Sequence, residues 1–442
     1  MAKEINRRSA VGWILGLFSL RGHAAALVED GAAHGSGAMA AAAGGIRDLA
    51  DIPQTDGMVF NVRAYGAQGN ALRDNRQHDT AAFQAAIDAA AARRTASPAE
   101  ETASGGQGGV VFVPPGVYRV TRTLHLPQGV AIRGAGMHTS QVLFSLPAGQ
   151  DGLVWSRPDD SDYGVGGFLE DIDIKAESYA AGRACRHLVV LSHWAHFAFH
   201  RVRILGASEY NLRIYNCVNI SAFHLMSRSA ARSNLWIGAP PITVTTTCRF
   251  VSCYFQRSLR GPAADVAGLG LAFDGCVFED AGAETALPEA GEAYGIRVRG
   301  GTATLTAPYF EANRSWELIA GTDEMPANSP RGASVTVINA VVMPNHDRRG
   351  APMKVPGTGG FRFERGSAFI QGGNLTQVQR PLVFSTRMDM VSATAFTFPN
   401  VPEVEGGTFA QLPGTVLYKD GATGQMVQAG NVVYGVNPLR AG

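Results

Sequence analysis

The chain is poor in lysine, in paired cysteines and in net charge. Of its 38 basic residues only Lys3, Lys175, Lys354 and Lys419 are lysine. Set against 37 acidic residues they leave a net charge of +1, so no global field draws the protein to nucleic acid or to an anionic membrane. Any attraction to an acidic ligand has to be local. The five cysteines, Cys185, Cys217, Cys248, Cys253 and Cys276, contain no CxxC and no paired metal spacing, which argues against a zinc site and against a disulfide framework. An N-terminal apolar run, Ala10 to Leu20, has about 11 residues where a membrane-crossing helix needs ~20. A phosphate-binding loop, a nucleophile elbow and a zincin helix are all missing.

What the chain does have is repetition. Cys248-Arg-Phe-Val-Ser-Cys-Tyr-Phe-Gln256, Leu271-Ala-Phe-Asp-Gly-Cys-Val-Phe-Glu279 and Thr304-Leu-Thr-Ala-Pro-Tyr-Phe-Glu311 look like copies of one line, their last residues 23 and then 32 positions apart. None of these repeats contains a long 3.6-residue apolar period, so helical repeats are excluded. Short β-type runs that cannot bury their apolar side alone predict a solenoid, each turn stacking on the last. Cys253 and Cys276 hold the same place in two repeats, which predicts thiols stacked inside the coil. With 53 glycines the chain can turn several times per rung.

In chain order, residues 1–26 read as an export signal: Arg7-Arg8, the apolar run, then Ala24-Ala25-Ala26 as a cleavage site, with a twin-arginine flavour. This predicts a periplasmic or extracellular protein, free of the membrane once the signal is removed. Residues 27–57 form an Ala/Gly-rich linker. From Met58 a strand ends in a glycine turn at Gly69. A helix follows from Asp79, its expected N-cap, with Phe83, Ala86, Ile87 and Ala90 on one face and Arg93 and Arg94 at its end. Residues 58–379 are expected to form the coil with its N-terminal cap, and 380–442 C-terminal rungs or a cap, including Val432-Val-Tyr434. Regularity fades from about Gly357. Insertions at Pro262 to Gly268, Glu284 to Glu292 and Thr322 to Gly332 are read as loops.

Tyr65-Gly66-Ala67 with Gly69, Asp79-Thr80 with Gln84-Ala85-Ala86-Ile87, Val113-Pro-Pro-Gly-Val-Tyr118 and Ile132-Arg-Gly-Ala-Gly136 together resemble the pectate lyase superfamily, in its rhamnogalacturonase- and epimerase-like branch. The resemblance covers about 80 residues and implies a single-stranded right-handed parallel β-helix, an all-β solenoid with an N-terminal capping α-helix, handling carbohydrate on its lateral surface. It departs at Gly69-Asn70-Ala71, where relatives carry Gly-Asp-Gly. The Asn-Thr-Asp, Asp-Asp and Gly-His-Gly set of polygalacturonases and the Asp-Pro-His motif of alginate epimerases are absent; Asn345-His346-Asp347 is a faint echo of the latter.

Stacked rungs place equivalent residues about 4.8 Å apart, the spacing between strands of a sheet. Aligned on their last apolar residue, the rungs give an outward column of Ser227, Gln256, Glu279 and Glu311. A second column beside it holds Arg228, Arg257, Asp280 and Ala312. Neighbouring carboxylates raise one another's pKa, so Glu279 and Glu311, with Asp280 alongside, are the candidate acid and base of a glycosidase, and the close spacing favours retention. A polysaccharide lyase acting on uronic acids needs cations instead, offered by Arg228 with Arg257 and Arg297 with Arg299, and Ca²⁺ as a possible cofactor. Asp171 and Asp173, expected to share a face by strand alternation, with Glu170 beside them, are the candidate Ca²⁺ ligands; otherwise no metal or cofactor is expected. A non-catalytic carbohydrate-binding β-helix is the alternative to both enzymes. A phage-type tailspike depolymerase is a third, against which the export signal argues.

Overall fold

The protein is described by a computed structural model covering residues 58–429, apart from short stretches of which the longer are 94–107, 178–184, 239–244, 285–291, 323–331 and 344–353. The export signal, the linker, Asn345-His346-Asp347 and Val432-Val-Tyr434 lie outside the described residues, as does most of two expected loops.

Parallel pairing between distant segments organises everything else. Ser233–Gly238, Thr246–Val251 and Tyr254–Gln256 make one turn of chain. Residues 264–266 and 271–274 with Val277–Glu279 make the next, and residues 296–298 and 301–306 with Tyr309–Glu311 the one after. Each segment hydrogen-bonds in parallel register to its counterpart one turn on, giving three faces, called first, second and third in the order just used. Parallel strands need a crossover, and here the remainder of the turn supplies it. The stacking runs without a break past Gly357, through Leu382–Ser385 and Glu403–Glu405, to Gly414–Asp420. There, among the described residues, pairing turns antiparallel once, against Met426–Ala429.

Alternation explains which residues face inward. Tyr254–Gln256, Val277–Glu279 and Tyr309–Glu311 each bury only their central phenylalanine. Phe255, Phe278 and Phe310 stack face to face with ring centres 5.6 and 5.4 Å apart, beside Phe250 and Phe273 at 5.0 Å. Such ring pairs add roughly 0.5–1.5 kcal/mol each beyond the area they bury. All five cysteines are buried free thiols, and Cys253 and Cys276 stack in register as their repeats predict.

The bend between the second and third faces is made by single left-handed residues in a column: Asp171, Arg201, His224, Ser252, Gly275, Ala307 and Asn339, with φ between +47° and +58°. Asp, Asn, His and Ser tolerate that region better than most side chains, so the corner is turned mainly without glycine. It also breaks strand alternation, which matters at Asp171 below. Pro262 to Gly268 is not a loop, since residues 264–268 begin the strand Ala264–Asp274. Its alanines and glycine are small because they pack on the turns above and below.

The helix Thr80–Ala92, α1, buries Phe83, Ala86, Ile87 and Ala90, and Phe83 meets Tyr118 edge-on at 5.6 Å. Arg93 is its C-cap. Asp79 does not cap the helix with its side chain, because Oδ1 accepts instead from the Gln68 backbone amide at 2.7 Å. That bond ties the start of the helix to the turn after the first strand.

Candidate active site

On the third face Gln256 stands opposite Glu279, and Glu279 opposite Glu311, in consecutive parallel ladders. The two carboxylate-bearing backbones are therefore about 4.8 Å apart, as the repeat alignment predicts. The head of that column differs by one residue. Arg228, not Ser227, pairs with Gln256, while Ser227 is fully buried and hydrogen-bonds Asn234 O. The strand Met226–Arg228 lacks the aromatic that marks the register in its neighbours, so aligning on its last apolar residue slips the strand by one and turns the wrong side outward.

The outward column is thus Arg228, Gln256, Glu279, Glu311. The next position holds Ser229, Arg257, Asp280 and Ala312, all left-handed with φ of +63°, +56°, +55° and +57°. This second left-handed column ends the third face and aims Arg257 and Asp280 beside the acids, 3.7 Å from each other.

Electrostatics separates the two glutamates. Burial pushes the Glu279 carboxyl above the usual carboxylate range; the Gln256 side chain, hydrogen-bonded to it, and Arg228 pull it back, while Glu311 and Asp280 push it further up. Burial also raises Asp280, opposed by Arg257, Arg314 and Arg228. Tyr309 donates its hydroxyl to Glu311 Oε2 at 2.7 Å. Tyr309 sits two residues before Glu311 on the same side of its strand, so alternation would have found it. Arg228 makes no ion pair among the described residues, and its Nε is buried without a hydrogen-bond partner.

Other expected site residues lie elsewhere. Arg297 and Arg299 are on the first face, both bound to Asp265: Arg297 Nε and Nη2 donate to its two oxygens at 3.0 and 2.7 Å, and Arg299 Nε to Oδ1 at 2.9 Å. Arg299 is buried, with its guanidinium 5.2 Å from the centre of the Trp236 ring. These arginines are committed to structure and do not join the acid pair.

Asp171 and Asp173 do not form a calcium site either. The left-handed bend at Asp171 turns the two carboxylates to different partners. Arg201 clasps Asp171 at 2.6 and 2.7 Å and reaches Glu170 at 2.8 Å, while Asp173 pairs with Arg203 and with Lys175 at 3.2 Å. Guanidinium and ammonium groups occupy the lone pairs a hard cation would need. Among the described residues no group of three or more His, Cys, Asp or Glu side chains is placed to hold a metal ion.

Residues 59–178 match the family described as Rhamnogalacturonase A/epimerase, pectate lyase-like. This stretch ends just beyond the strand Phe168–Ala176, so the family match does not reach Glu279 or Glu311 and assigns them no role. No curated protein matches the chain in sequence.

Among solved structures it is similar to the gp42 tailspike of Acinetobacter phage vb_AbaP_AS12, at 10% identity and a TM-score of 0.54 over 87% of this chain and 66% of that one. The enzymatically active domain of tailspike protein 2 from bacteriophage CBA120 matches at 12% identity and 0.51 over 72% and 43%. DFA-IIIase from Arthrobacter chlorophenolicus A6, without its lid, matches at 14% and 0.50 over 80% and 96%. The chain thus spans less than two thirds of either tailspike chain. At these identities the likeness is one of fold, that of a parallel β-helix.

Proposed function

We propose that the protein is an exported, polysaccharide-active right-handed β-helix, its helix α1 capping the N-terminal end, and that it hydrolyses glycosidic bonds with Glu279 and Glu311. The observation that carries this is the direct pairing of the two glutamates on adjacent turns, Glu279 raised by burial and Glu311 holding the Tyr309 hydroxyl. Glu279, whose carboxyl burial keeps protonated to higher pH, is the general acid that gives a proton to the leaving oxygen. Glu311, holding the Tyr309 hydroxyl, is the carboxylate that attacks or activates water. A buried carboxyl that stays protonated, set beside a second carboxylate, lets one site run acid and base chemistry together. A carboxyl separation of ~5–5.5 Å goes with retention through a glycosyl intermediate on Glu311, whereas inverting enzymes need ~6.5–9.5 Å. Arg228 and Arg257 flank the pair and would meet acidic groups of the polymer.

The test is a panel of acidic and neutral polysaccharides, scored for new reducing ends and for absorbance by unsaturated uronates. Reducing ends without absorbance are expected. Both signals together would replace hydrolysis by β-elimination, and neither would leave a carbohydrate-binding protein. Activity unchanged in Glu279→Gln and Glu311→Gln would remove the site assignment. Accumulation of the native chain outside the cytoplasm, lost on exchanging Arg7 and Arg8 for lysine, would test export by the twin-arginine route.

A further inference from the structure

Lys354, one of only four lysines among 38 basic residues, carries its charge into the interior. Its Nζ donates to Glu317 Oε1 at 2.8 Å, to Ser315 O at 2.6 Å and to Asn313 O at 3.1 Å. Asn313, Ser315 and Glu317 are buried, and the Lys354 side chain is 16% exposed. The second Glu317 oxygen, Oε2, accepts from Asn313 Nδ2. One buried carboxylate thus holds an amine on one oxygen and a side-chain amide on the other.

The amide is arranged as an electrophile. Asn313 Oδ1 accepts from the Ala281 backbone amide at 3.1 Å, a donor that draws electrons from Cγ and supports negative charge developing on that oxygen. Nδ2 also donates to Phe278 O at 3.0 Å, which fixes the plane of the group. The amine has its own reason to react. Burial lowers the Lys354 ammonium below its ordinary value, against the upward pull of Glu317. One proton passed from Nζ to Oε1 leaves a neutral amine beside a neutral acid and removes two charges from the interior. Arginine, the common cation of this chain, would make the same ion pair but does not give up its proton.

We infer that Lys354 and Asn313 join through an isopeptide bond, with Glu317 as the proton carrier. Glu317 takes one proton from Nζ, and the freed amine attacks Cγ of Asn313. Glu317 then hands that proton to Nδ2 and takes a second from Nζ as the Cγ–Nδ2 bond breaks and ammonia leaves. One carbon–nitrogen bond replaces another, so neither oxidant nor cofactor is needed. The new bond ties together positions 41 residues apart and restricts the unfolded chain as a disulfide would. It fastens Lys354 to the corner that follows Glu311, and its chemistry is independent of the carbohydrate reaction proposed above.

The experiment is tryptic peptide mapping of the full chain by mass spectrometry. Gly300–Arg314 and Gly350–Arg362 are expected as one branched peptide, lighter by one ammonia than their sum and uncut at Lys354, because trypsin does not cleave after an acylated lysine. Lys354→Arg keeps the cation and should release the two segments as separate peptides, as should Glu317→Gln. Either variant can also fail to fold, so the map of the native protein decides. Separate peptides of unmodified mass would overturn the inference. Ammonia lost from Gly300–Arg314 alone would overturn it too, since that is Asn313 closing on its own backbone. A branched peptide undiminished in Glu317→Gln would overturn the role given to Glu317.

Discussion

The Tyr309 hydroxyl lies 2.7 Å from Glu311 Oε2, two residues along the same outward side of one short strand. Glu279, one turn away, is hydrogen-bonded by the Gln256 side chain instead, and burial drives it towards its protonated form. Two glutamates on one ladder are thereby given different electrical surroundings by groups two residues or one rung away.

Removing that hydroxyl should disable the carboxylate without disturbing the fold. A hydrogen bond to a charged group is worth about 1.5–3 kcal/mol. Tyr309→Phe should therefore lower kcat/KM at least tenfold, with an unchanged circular dichroism spectrum and unfolding midpoint.

Glu279→Gln should cost more, on the order of 10²–10⁴ in turnover, because a general acid is lost. It should also change stability in a pH-dependent way. A carboxyl whose folded pKa is raised above its ordinary 4.5 contributes stability fully present below that value and lost as pH rises through the folded pKa. Glutamine never ionises, so the variant should unfold at a higher temperature than the native protein at about pH 8 and show no such gain at about pH 4. A midpoint difference independent of pH would contradict the burial argument.

Asp265→Ala should be severe, since it removes the carboxylate that two guanidiniums share, one of them buried. Breaking a buried ion pair from one side costs about 3–5 kcal/mol. Denaturant unfolding should show a loss of that size, and Asp265→Asn should recover part of it.

Phe278 is the middle ring of the stack formed with Phe255 and Phe310. Phe278→Ala should cost about 3–5 kcal/mol by chemical denaturation, and it should also lower activity, because the same strand carries Glu279.

The five thiols should be silent towards a thiol reagent in the native protein and titrate together only on unfolding, since all are buried and unpaired. Burial raises the Cys217 thiol to about 12 against the opposing pull of backbone hydrogen bonds and Arg213. Rapid native labelling of any of them would contradict the packing described.

Much of this was legible in the chain itself. The aromatic that closes each repeat marks an inward position, so the lines ending in Gln256, Glu279 and Glu311 align themselves and place the two acids on neighbouring turns. Where the marker is missing the reading slips: Met226–Arg228 has no such ring, and Ser227 took the outward place that belongs to Arg228. Asp171 and Asp173 failed for another reason, because alternation assumes an extended backbone and a left-handed residue breaks it.

The sequence by itself determined the repeat, the inward aromatics, the stacked cysteines and the pairing of Glu279 with Glu311, since each depends on local pattern and on the one regular spacing between turns. Only the tertiary structure decided which charges were already spent. Arg297, Arg299, Asp171 and Asp173 all look available in the chain, yet their partners Asp265, Arg201 and Arg203 are some 30 residues away or more. Coulombic pairing acts through space, and only folding brings those partners within reach.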